Sequence, residues 1–326
     1  MQIIRKVIKL KIKIVKGISF MLILVIILIA LSKVFEPKNN SVEAGMHNRG
    51  ASGILAEPDN TIDAIIVGNS EAYTSIIPME LWNEYGYTSY VCASPEQPLA
   101  LSVKMVGETI KHQKPKVIML EASSIHISQD LSEASDQTLN YLLKVFQYHD
   151  RWKNLTKEDF TQSPEYTTIN CMKGYEYSKD VKGYKAPHRK KKEKEEPAKV
   201  PRINQMYVAA INQICKHNNI KFMIVSTPSS KYWSNETHDA IQNLCDRYNI
   251  EYLDFNIHSH EIQIDWEKET RDVGDHLNHS GAIKTTKGIG RYFSENGLLE
   301  NHKDDERYSH WNQQYEEYKK VVEAEI

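Results

Sequence analysis

The sequence has little cysteine, and the cysteines it has are not arranged for metal binding. Four occur among 326 residues, and no two form a CxxC pair or stand near histidines at the spacing of zinc ligands. A large excess of charge of either sign is also lacking. The formal net charge is -2, which argues against the broad basic surface that nucleic-acid binding requires. The sequence therefore predicts neither a zinc site nor a nucleic-acid partner.

The N-terminus carries the strongest compositional signal. Residues 1–16 hold only basic charges, and residues 17–35 then form an apolar run interrupted only by Lys33. A membrane span needs ~17–25 mainly apolar residues, and a lysine near its end can reach the interface. Basic residues before the run predict a cytoplasmic N-terminus, with the rest of the chain outside. A single-pass anchor in the cell membrane is the preferred interpretation.

A cleaved signal peptide is the alternative interpretation, because Ala30-Leu31-Ser32 could serve as a cleavage site. Both interpretations carry the bulk of the chain across the membrane. A lipoprotein anchor is excluded, since no cysteine directly follows the apolar run.

The rest of the chain divides into a linker and a globular part. Residues 36–60 are polar and contain glycine, proline and asparagine, as a linker does. From 61 to 300, short apolar runs alternate with helical patterns. This alternation predicts an α/β fold, a three-layer α/β/α sandwich whose parallel sheet is covered on both faces. The predicted strands are residues 62–67, 89–93, 116–120, 220–225 and 251–255.

An insertion at about 124–202 interrupts the alternation. It contains an apolar helical stretch at 139–146 and could cover the site as a lid. It ends in a dense charge run, residues 185–202, with three prolines. A solvated loop is the expectation there, and contact with an anionic envelope polymer or lipid is the alternative. Residues 301–326 are predicted to form a C-terminal helix on the surface of the domain.

The first predicted strand ends in the motif Gly68-Asn69-Ser70-Glu71. Ligands of open parallel sheets bind beyond the carboxyl ends of the strands, where this motif lies. A turn from strand to helix exposes a serine hydroxyl and offers backbone N–H groups to an oxyanion. Ser70 is therefore the candidate nucleophile, although the motif alone could be a polar turn.

A second motif near the C-terminus supplies the base that a serine nucleophile needs. His276 could take the proton, and an acid must then hold its other ring nitrogen. Asp272 lies four residues earlier and Asp275 is adjacent. Adjacent side chains in an extended turn point apart, so Asp272 is preferred and Asp275 is kept as the alternative. Asn278 is expected to cap the helix that follows and is also a candidate for substrate contact.

Together the two motifs resemble the SGNH/GDSL hydrolase superfamily. The closer resemblance is to its membrane-anchored cell-envelope branch, which includes the DltD proteins of teichoic acid D-alanylation and the alginate O-acetylation proteins. The resemblance covers about residues 61–297. It implies a flavodoxin-like sandwich, Ser70 as nucleophile, His276 as base and an aspartate shortly before it. It also implies work beside a multi-pass membrane O-acyltransferase, without a metal or organic cofactor.

The resemblance adds further site candidates. In the family's second block a glycine N–H serves the oxyanion, and here Ala93-Ser94 stands in that place, followed by Gln97. Asn69 is a further candidate beside the nucleophile. The third block usually supplies an asparagine, but only residues 226–229 are polar at the strand end taken as equivalent. Arg151 could bind an anionic or polyol substrate, or could equally be a structural arginine.

The sequence thus predicts an extracytoplasmic, membrane-anchored serine esterase or acyltransferase. It would move an acetyl or D-alanyl group to or from an envelope polysaccharide or teichoic-acid type polymer. The alternative is a catalytically silent domain of the same fold that binds polymer or scaffolds an acylation complex. The irregular second and third blocks favour this alternative, and the Ser70 and His276 motifs argue against it.

Overall fold

A computed structural model describes residues 2–41, 43–47, 49–126, 139–140, 143–185, 199–231, 233–257 and 260–324. Contacts divide the chain into two compact units. The helix unit comprises residues 1–46 and 135–165, and the sheet unit comprises residues 47–134 and 166–326. The charge run predicted at 185–202 lies mostly outside the described residues, as does the first part of the insertion.

The sheet unit is built on five parallel strands in the order β2-β1-β3-β4-β5. The central strand pairs are in register at Val67, which lies opposite Cys92 of β2 and Leu120 of β3. The strands are β1 (Ala64–Gly68), β2 (Ser89–Ala93), β3 (Val117–Glu121), β4 (Lys221–Ser226) and β5 (Glu251–Asp254). The predicted α/β fold class is confirmed.

The helices follow the predicted alternation from the first strand onward. In chain order they are α1 (Gln2–Phe35), α2 (Arg49–Ser52), α3 (Ser70–Ser75), α4 (Pro78–Tyr85), α5 (Leu99–Thr109), α6 (Lys144–Gln147), α7 (Lys157–Thr161), α8 (Arg202–His217), α9 (Asn235–Tyr248), α10 (His279–Glu295) and α11 (Ser309–Ala324). Short 3₁₀ turns lie at Gly53–Ala56, Ala122–Ile125, His149–Lys153 and Glu306–Tyr308.

Alternate strand residues supply two separate cores. Ile65 and Val67 of β1 face one side and pack with α5, α8 and α9. Ala64 and Ile66 face the other side and pack with α3 and α10. This follows from the two-residue period of a strand, and every residue of β1 is buried because both faces are covered. The sheet unit therefore has three layers, and buried polar residues such as Asn69, Glu121 and Thr227 lie at or just beyond the carboxyl ends of its strands.

Part of the segment predicted as a linker is built into the sheet unit. Ile54 belongs to the core, and the Glu57 carboxylate accepts hydrogen bonds of 2.6 and 2.7 Å from Lys173. Both side chains are fully buried, and the Lys173 ammonium lies 4.5 Å from the ring centroid of Trp311. The polar sequence around Glu57 suggested a linker, because its partner Lys173 lies more than a hundred residues away and the pairing cannot be read from neighbouring residues.

In the helix unit, α1 continues without a break through the basic segment and the apolar run. Its stretch Arg5–Phe35 is long and apolar enough to cross a membrane, by length and composition. Residues 139–165, predicted as part of a possible lid, contact α1 through α6 and α7.

Replacing Lys173 by methionine is expected to destabilise the fold by ~3–5 kcal/mol, because the Glu57 carboxylate would stay buried without its cation. The measurement is the free energy of unfolding of the full chain in detergent, by urea titration. The control is Lys179→Met at an exposed position, where a change within ~0.5 kcal/mol is expected. Equal effects of the two substitutions would contradict the prediction.

Candidate active site

The turn from β1 into α3 positions Ser70. Asn69 is the N-cap of this helix, and its side-chain oxygen accepts hydrogen bonds from the Glu71 N–H (3.1 Å) and the Ser123 hydroxyl (2.8 Å). The amide nitrogen of Asn69 makes no hydrogen bond to a described residue. Ser70 directly follows β1 at the carboxyl edge of the sheet and is partly exposed, so a ligand can reach this residue.

Gly68 allows β1 and β3 to approach closely beneath this turn. A Cβ atom at position 68 would lie 2.8 Å from the Glu121 Cβ and 3.1 Å from the Ala72 Cβ. Real Cβ atoms do not approach to 2.8 Å, so the position requires glycine. The Glu121 side chain therefore passes directly beside the end of β1.

His276 is held by Asp272 through two hydrogen bonds. The ring Nδ1 lies 2.5 Å from Asp272 Oδ2, and the His276 N–H donates to Asp272 Oδ1 at 2.7 Å. Burial alone would raise the pKa of Asp272, but the hydrogen bonds and charge of His276 outweigh burial and lower it. An ionised Asp272 fixes the tautomer that carries the proton on Nδ1. The opposite nitrogen, Nε2, makes no hydrogen bond to a described residue.

Asp275, the alternative acid, is directed elsewhere. Its carboxylate lies 3.3 Å from the Lys231 ammonium, and no hydrogen bond joins it to His276 within the described residues. Adjacent side chains thus diverge here, as argued from the sequence. The structure places Asp272, and not Asp275, against the His276 ring.

The turn that carries the acid has a strained backbone. Val273 has φ 66° and Gly274 has φ 82°. A β-branched residue in the left-handed region is an outlier that surrounding contacts must hold in place. Here the Gly274 N–H donates to the Thr270 hydroxyl at 2.7 Å, and the Ser230 hydroxyl donates to the Gly274 carbonyl at 2.5 Å. These contacts fix the turn and with it the side chain of Asp272.

The two motifs lie near one another without a direct hydrogen bond. The charges of Asp272 and Asp275 both act on Glu71, next to Ser70, and contribute to raising its pKa. No hydrogen bond joins the Ser70 hydroxyl to the His276 ring, both residues being within the described part of the chain. The fold thus brings the nucleophile and base motifs to the same neighbourhood, about 200 residues apart in the sequence.

Two buried glutamates lie close to the candidate nucleophile: Glu71 follows Ser70 directly, and Glu121 ends β3, the neighbour of β1. Burial, together with the charge of Glu121, raises the pKa of Glu71 well above its usual value of 4.5. Neither oxygen of Glu71 has a hydrogen-bond partner among the described residues. Both glutamates line a cavity of about 20 Å³, room for roughly one water molecule.

The hydrogen bonds around the Glu121 carboxyl group also fit its protonated, neutral form best. Burial raises its pKa, although hydrogen bonds from Ser123 and Thr227 oppose the rise. The Ser123 oxygen is within hydrogen-bond distance of both Glu121 Oε2 and Asn69 Oδ1, yet a hydroxyl has one hydrogen to donate. A protonated Glu121 resolves this, because it donates to Ser123 while Ser123 donates to Asn69.

Ser123 and Tyr73 are site residues that the sequence reasoning missed. Ser123 follows β3, the neighbour of β1, whereas the sequence reasoning had looked at residues 226–229, beyond β4. Tyr73 lies three residues after Ser70 in α3, and this helical spacing could have indicated it. Burial raises the pKa of Tyr73 to about 12, and the nearby Ser70 hydroxyl opposes the rise. The phenol is therefore protonated at neutral pH beside the nucleophile.

Three predicted candidates use their side chains within the fold. The Ser94 hydroxyl donates to Gln97 Oε1 at 2.9 Å, and the Gln97 amide donates to the Cys92 carbonyl and the Ser102 hydroxyl. Asn278 caps α10 by accepting from the Gly281 N–H at 3.3 Å. Its amide donates to two further backbone carbonyls. These side chains shape the turns after β2 and before α10, and their roles towards a substrate stay predictions.

Arg151 belongs to the helix unit, where it closes the end of α1. Its guanidinium donates to the Phe35 carbonyl at 2.5 Å and to Asp159 at 2.8 Å. Arg151 and Asp159 are both buried. The sequence left open whether Arg151 binds substrate or is structural, and these contacts give a physical reason for the structural role.

One cluster could hold a metal ion. The potential ligand atoms of Asp272, Asp275 and His276 lie within 4.8 Å of one another, and no other such group of His, Cys, Asp and Glu occurs among the described residues. Asp272 Oδ2 is bonded to His276 Nδ1 and Asp275 Oδ2 is paired with Lys231, while Asp275 Oδ1 has no hydrogen-bond partner among the described residues. The expectation of a mechanism without a metal stays a prediction.

Comparison with known proteins gives only distant structural matches. No family model and no curated protein matches the sequence. The structure is similar to a proposed acylhydrolase from Bacteroides fragilis (9% identity, 76% of this chain and 94% of that one, TM-score 0.41). It is also similar to a GDSL-like lipase from Bacteroides thetaiotaomicron (12%, 76% and 97%, 0.39) and a lipase/acylhydrolase from Enterococcus faecalis (8%, 74% and 98%, 0.39). Similarities this low leave the function to be inferred from the site itself.

Replacing Glu71 by glutamine is expected to stabilise the chain, and increasingly so as the pH rises. A carboxyl whose folded pKa is raised contributes stability below its unfolded pKa of 4.5, and that stability is lost as the pH rises through the folded pKa. Glutamine does not titrate, so the difference in unfolding free energy between variant and wild type should grow from pH 4.5 upwards. Urea titrations across this range measure it.

The exposed Glu96 provides the control for this prediction. The substitution Glu96→Gln removes the same charge without removing a buried carboxyl, so its effect on stability should be small at every pH. A Glu71→Gln difference that stays constant between pH 4.5 and 8 would show that Glu71 does not keep a raised pKa in the folded chain.

Proposed function

We propose that this chain is a membrane-anchored, extracytoplasmic serine esterase or O-acyltransferase. The observation that carries the proposal is the 2.5 Å contact between Asp272 Oδ2 and His276 Nδ1. Asp272 and Asp275 lie on this turn, and their charges contribute to raising the pKa of Glu71, the residue next to Ser70. A serine on a strand-to-helix turn and a histidine with a fixed tautomer are the parts that acyl transfer requires.

In the proposed reaction, His276 Nε2 takes the proton of the Ser70 hydroxyl as Oγ attacks an acyl carbonyl. The negative oxygen of the tetrahedral intermediate accepts hydrogen bonds from the Ser70 backbone N–H and from the Asn69 amide, since the Glu71 and Ala72 N–H groups already donate to Asn69. The intermediate collapses to acyl-Ser70, and the departing alcohol takes its proton from His276. Asp272 stays ionised and stabilises the imidazolium that forms between these steps.

The second half of the reaction returns the enzyme to its starting state. An acceptor hydroxyl, or water, gives its proton to His276 and attacks the acyl-Ser70 carbonyl. The product, a new ester or, when water attacks, the free acid, then leaves the serine, which recovers its proton from His276. Contact between Ser70 and His276 would form with substrate bound, since catalytic hydrogen bonds are often long in empty sites.

The proposed substrates are acetyl or D-alanyl esters of an envelope polysaccharide or teichoic-acid type polymer. This part of the proposal comes from the resemblance to the cell-envelope branch and from the N-terminal apolar helix. A tethered enzyme suits a membrane-bound acyl supply, which a multi-pass O-acyltransferase would provide as partner. A scavenging esterase gains nothing from such a tether.

A catalytically silent binding or scaffold domain is the second candidate. Two observations favour it, namely the absence of a hydrogen bond between Ser70 and His276 within the described chain and the engaged side chains of Ser94 and Gln97. Under this hypothesis the site would bind an acylated polymer without cleaving it.

The first test uses Ser70→Ala and His276→Ala. Wild type is expected to react with a serine-directed fluorophosphonate and to hydrolyse a chromogenic acetyl ester. Each variant should lose nearly all turnover, by a factor of ~10³ or more, because nucleophile and base act as a unit. Labelling and ester hydrolysis of the full chain in detergent are the measurements. A wild type that is folded and inert to both reagents would favour the silent domain.

The two candidate acids provide a matched pair of variants. Asp272→Asn is expected to lower kcat by a factor of ~10³–10⁴, because the His276 tautomer would no longer be fixed. Asp275→Asn removes the same charge from the same turn and should leave kcat within about one order of magnitude, since it touches Lys231 and not His276. Equal losses in both variants would contradict the assignment of Asp272.

A further inference from the structure

The helix unit exposes large apolar side chains around one end of α1. We call its residues 139–165, as far as they are described, the collar. The exposed fractions of its side chains are 49% for Leu139, 41% for Phe146, 64% for Trp152 and 65% for Phe160. Exposed aromatic residues at this density, on a short segment, mark an interaction surface rather than an ordinary loop.

The collar is joined to the end of α1 by two hydrogen bonds. The Val145 N–H donates to the Ser32 hydroxyl at 3.2 Å, and Arg151 donates to the Phe35 carbonyl at 2.5 Å. The last carbonyls of a helix have no partner within it, so an arginine there satisfies one of them and favours the negative end of the helix dipole. Arg151 is itself held by Asp159.

These contacts fix the height of the collar along the anchor. Phe35 is the last residue of the apolar run and of α1. Trp152 follows Arg151 directly, so its Cα lies ~3.8 Å from that of the residue that closes the helix. If the apolar run crosses the bilayer, the aromatic side chains of the collar lie at the level where the run ends.

The collar carries four basic and four acidic residues, and its lysines are close to its aromatic residues in the sequence. Lys144, Lys153 and Lys157 stand among the apolar residues, and the Lys153 ammonium lies 5.2 Å from the Trp152 ring centroid. Tryptophan rings and lysines are typical of the zone between acyl chains and headgroups, where an apolar body and a polar end are both accommodated.

We propose that the collar docks on the phospholipid bilayer, with Trp152 and Phe160 inserted at the boundary between headgroups and acyl chains. This inference rests on the membrane anchoring that forms part of the proposed function. The collar and the end of α1 then form one membrane-binding body, in which Arg151 holds the inserted aromatic residues at a fixed height. Its ligand is a lipid surface, and because the acidic and basic residues of the collar balance, its apolar side chains drive the docking.

The test reconstitutes the full chain in vesicles with bromine atoms near the glycerol end of the acyl chains, near their methyl end, or absent. Trp152→Phe is the matched control, because subtracting its fluorescence from that of wild type isolates the signal of Trp152. That signal is expected to fall by about half with shallow bromine and less with deep bromine, as for an apolar face buried ~5–10 Å. It should also resist acrylamide.

Each outcome decides the question. Resistance to alkaline extraction first establishes that α1 is inserted, whatever the state of the collar. If α1 is inserted but acrylamide quenches Trp152 and neither brominated lipid does, the collar lies in water and the proposal is overturned while the anchor stands. If alkali extracts the chain, the anchoring itself fails, and the proposed docking fails with it. Neither result depends on the esterase activity, which is measured separately.

Discussion

The close approach of β1 and β3 at Gly68 is the constraint on which the candidate site depends. It brings Glu121 beside the end of β1, where its acid group can hold Ser123. Ser123 in turn holds Asn69, the residue that caps α3 and so sets the position of Ser70. A larger residue at position 68 would separate the strands and disturb each contact in this series. The candidate nucleophile is therefore positioned by the sheet as much as by its own turn.

The sequence was sufficient for the fold because the strands are buried on both faces. Strands such as β1 appear as continuous apolar runs, which polar loops bound clearly. The pair of Asp272 and His276 was also predictable, because the two residues are four apart in the sequence. Few other acidic side chains lie close enough in the sequence to reach the His276 ring across such a short turn. The ring contact joins side chains close in sequence, whereas the contact from Ser230 that holds this turn is distant in sequence and was not predicted.

Residues whose partners are distant in sequence could not be predicted. Glu57 looked like part of a solvated linker because its polar neighbours in the sequence give no sign that Lys173 pairs with it in the fold. Arg151 was considered for substrate binding because a charged residue in an insertion gives no sign that it closes a helix end. The third polar block was sought after β4, although the strand order places the end of β3 beside β1. Strand order is a property of the whole sheet and is not encoded near any one strand.

The buried glutamates have a consequence for the electrostatic field at the nucleophile. Catalysis requires negative charge to develop on an oxygen next to Ser70, and an ionised carboxylate ~5 Å away would oppose it by ~3 kcal/mol at an effective dielectric constant of 20. That cost corresponds to a factor of ~10² in rate for each glutamate. Because burial favours the protonated forms of Glu71 and Glu121, the protein can place two acids near the candidate nucleophile without imposing that repulsion.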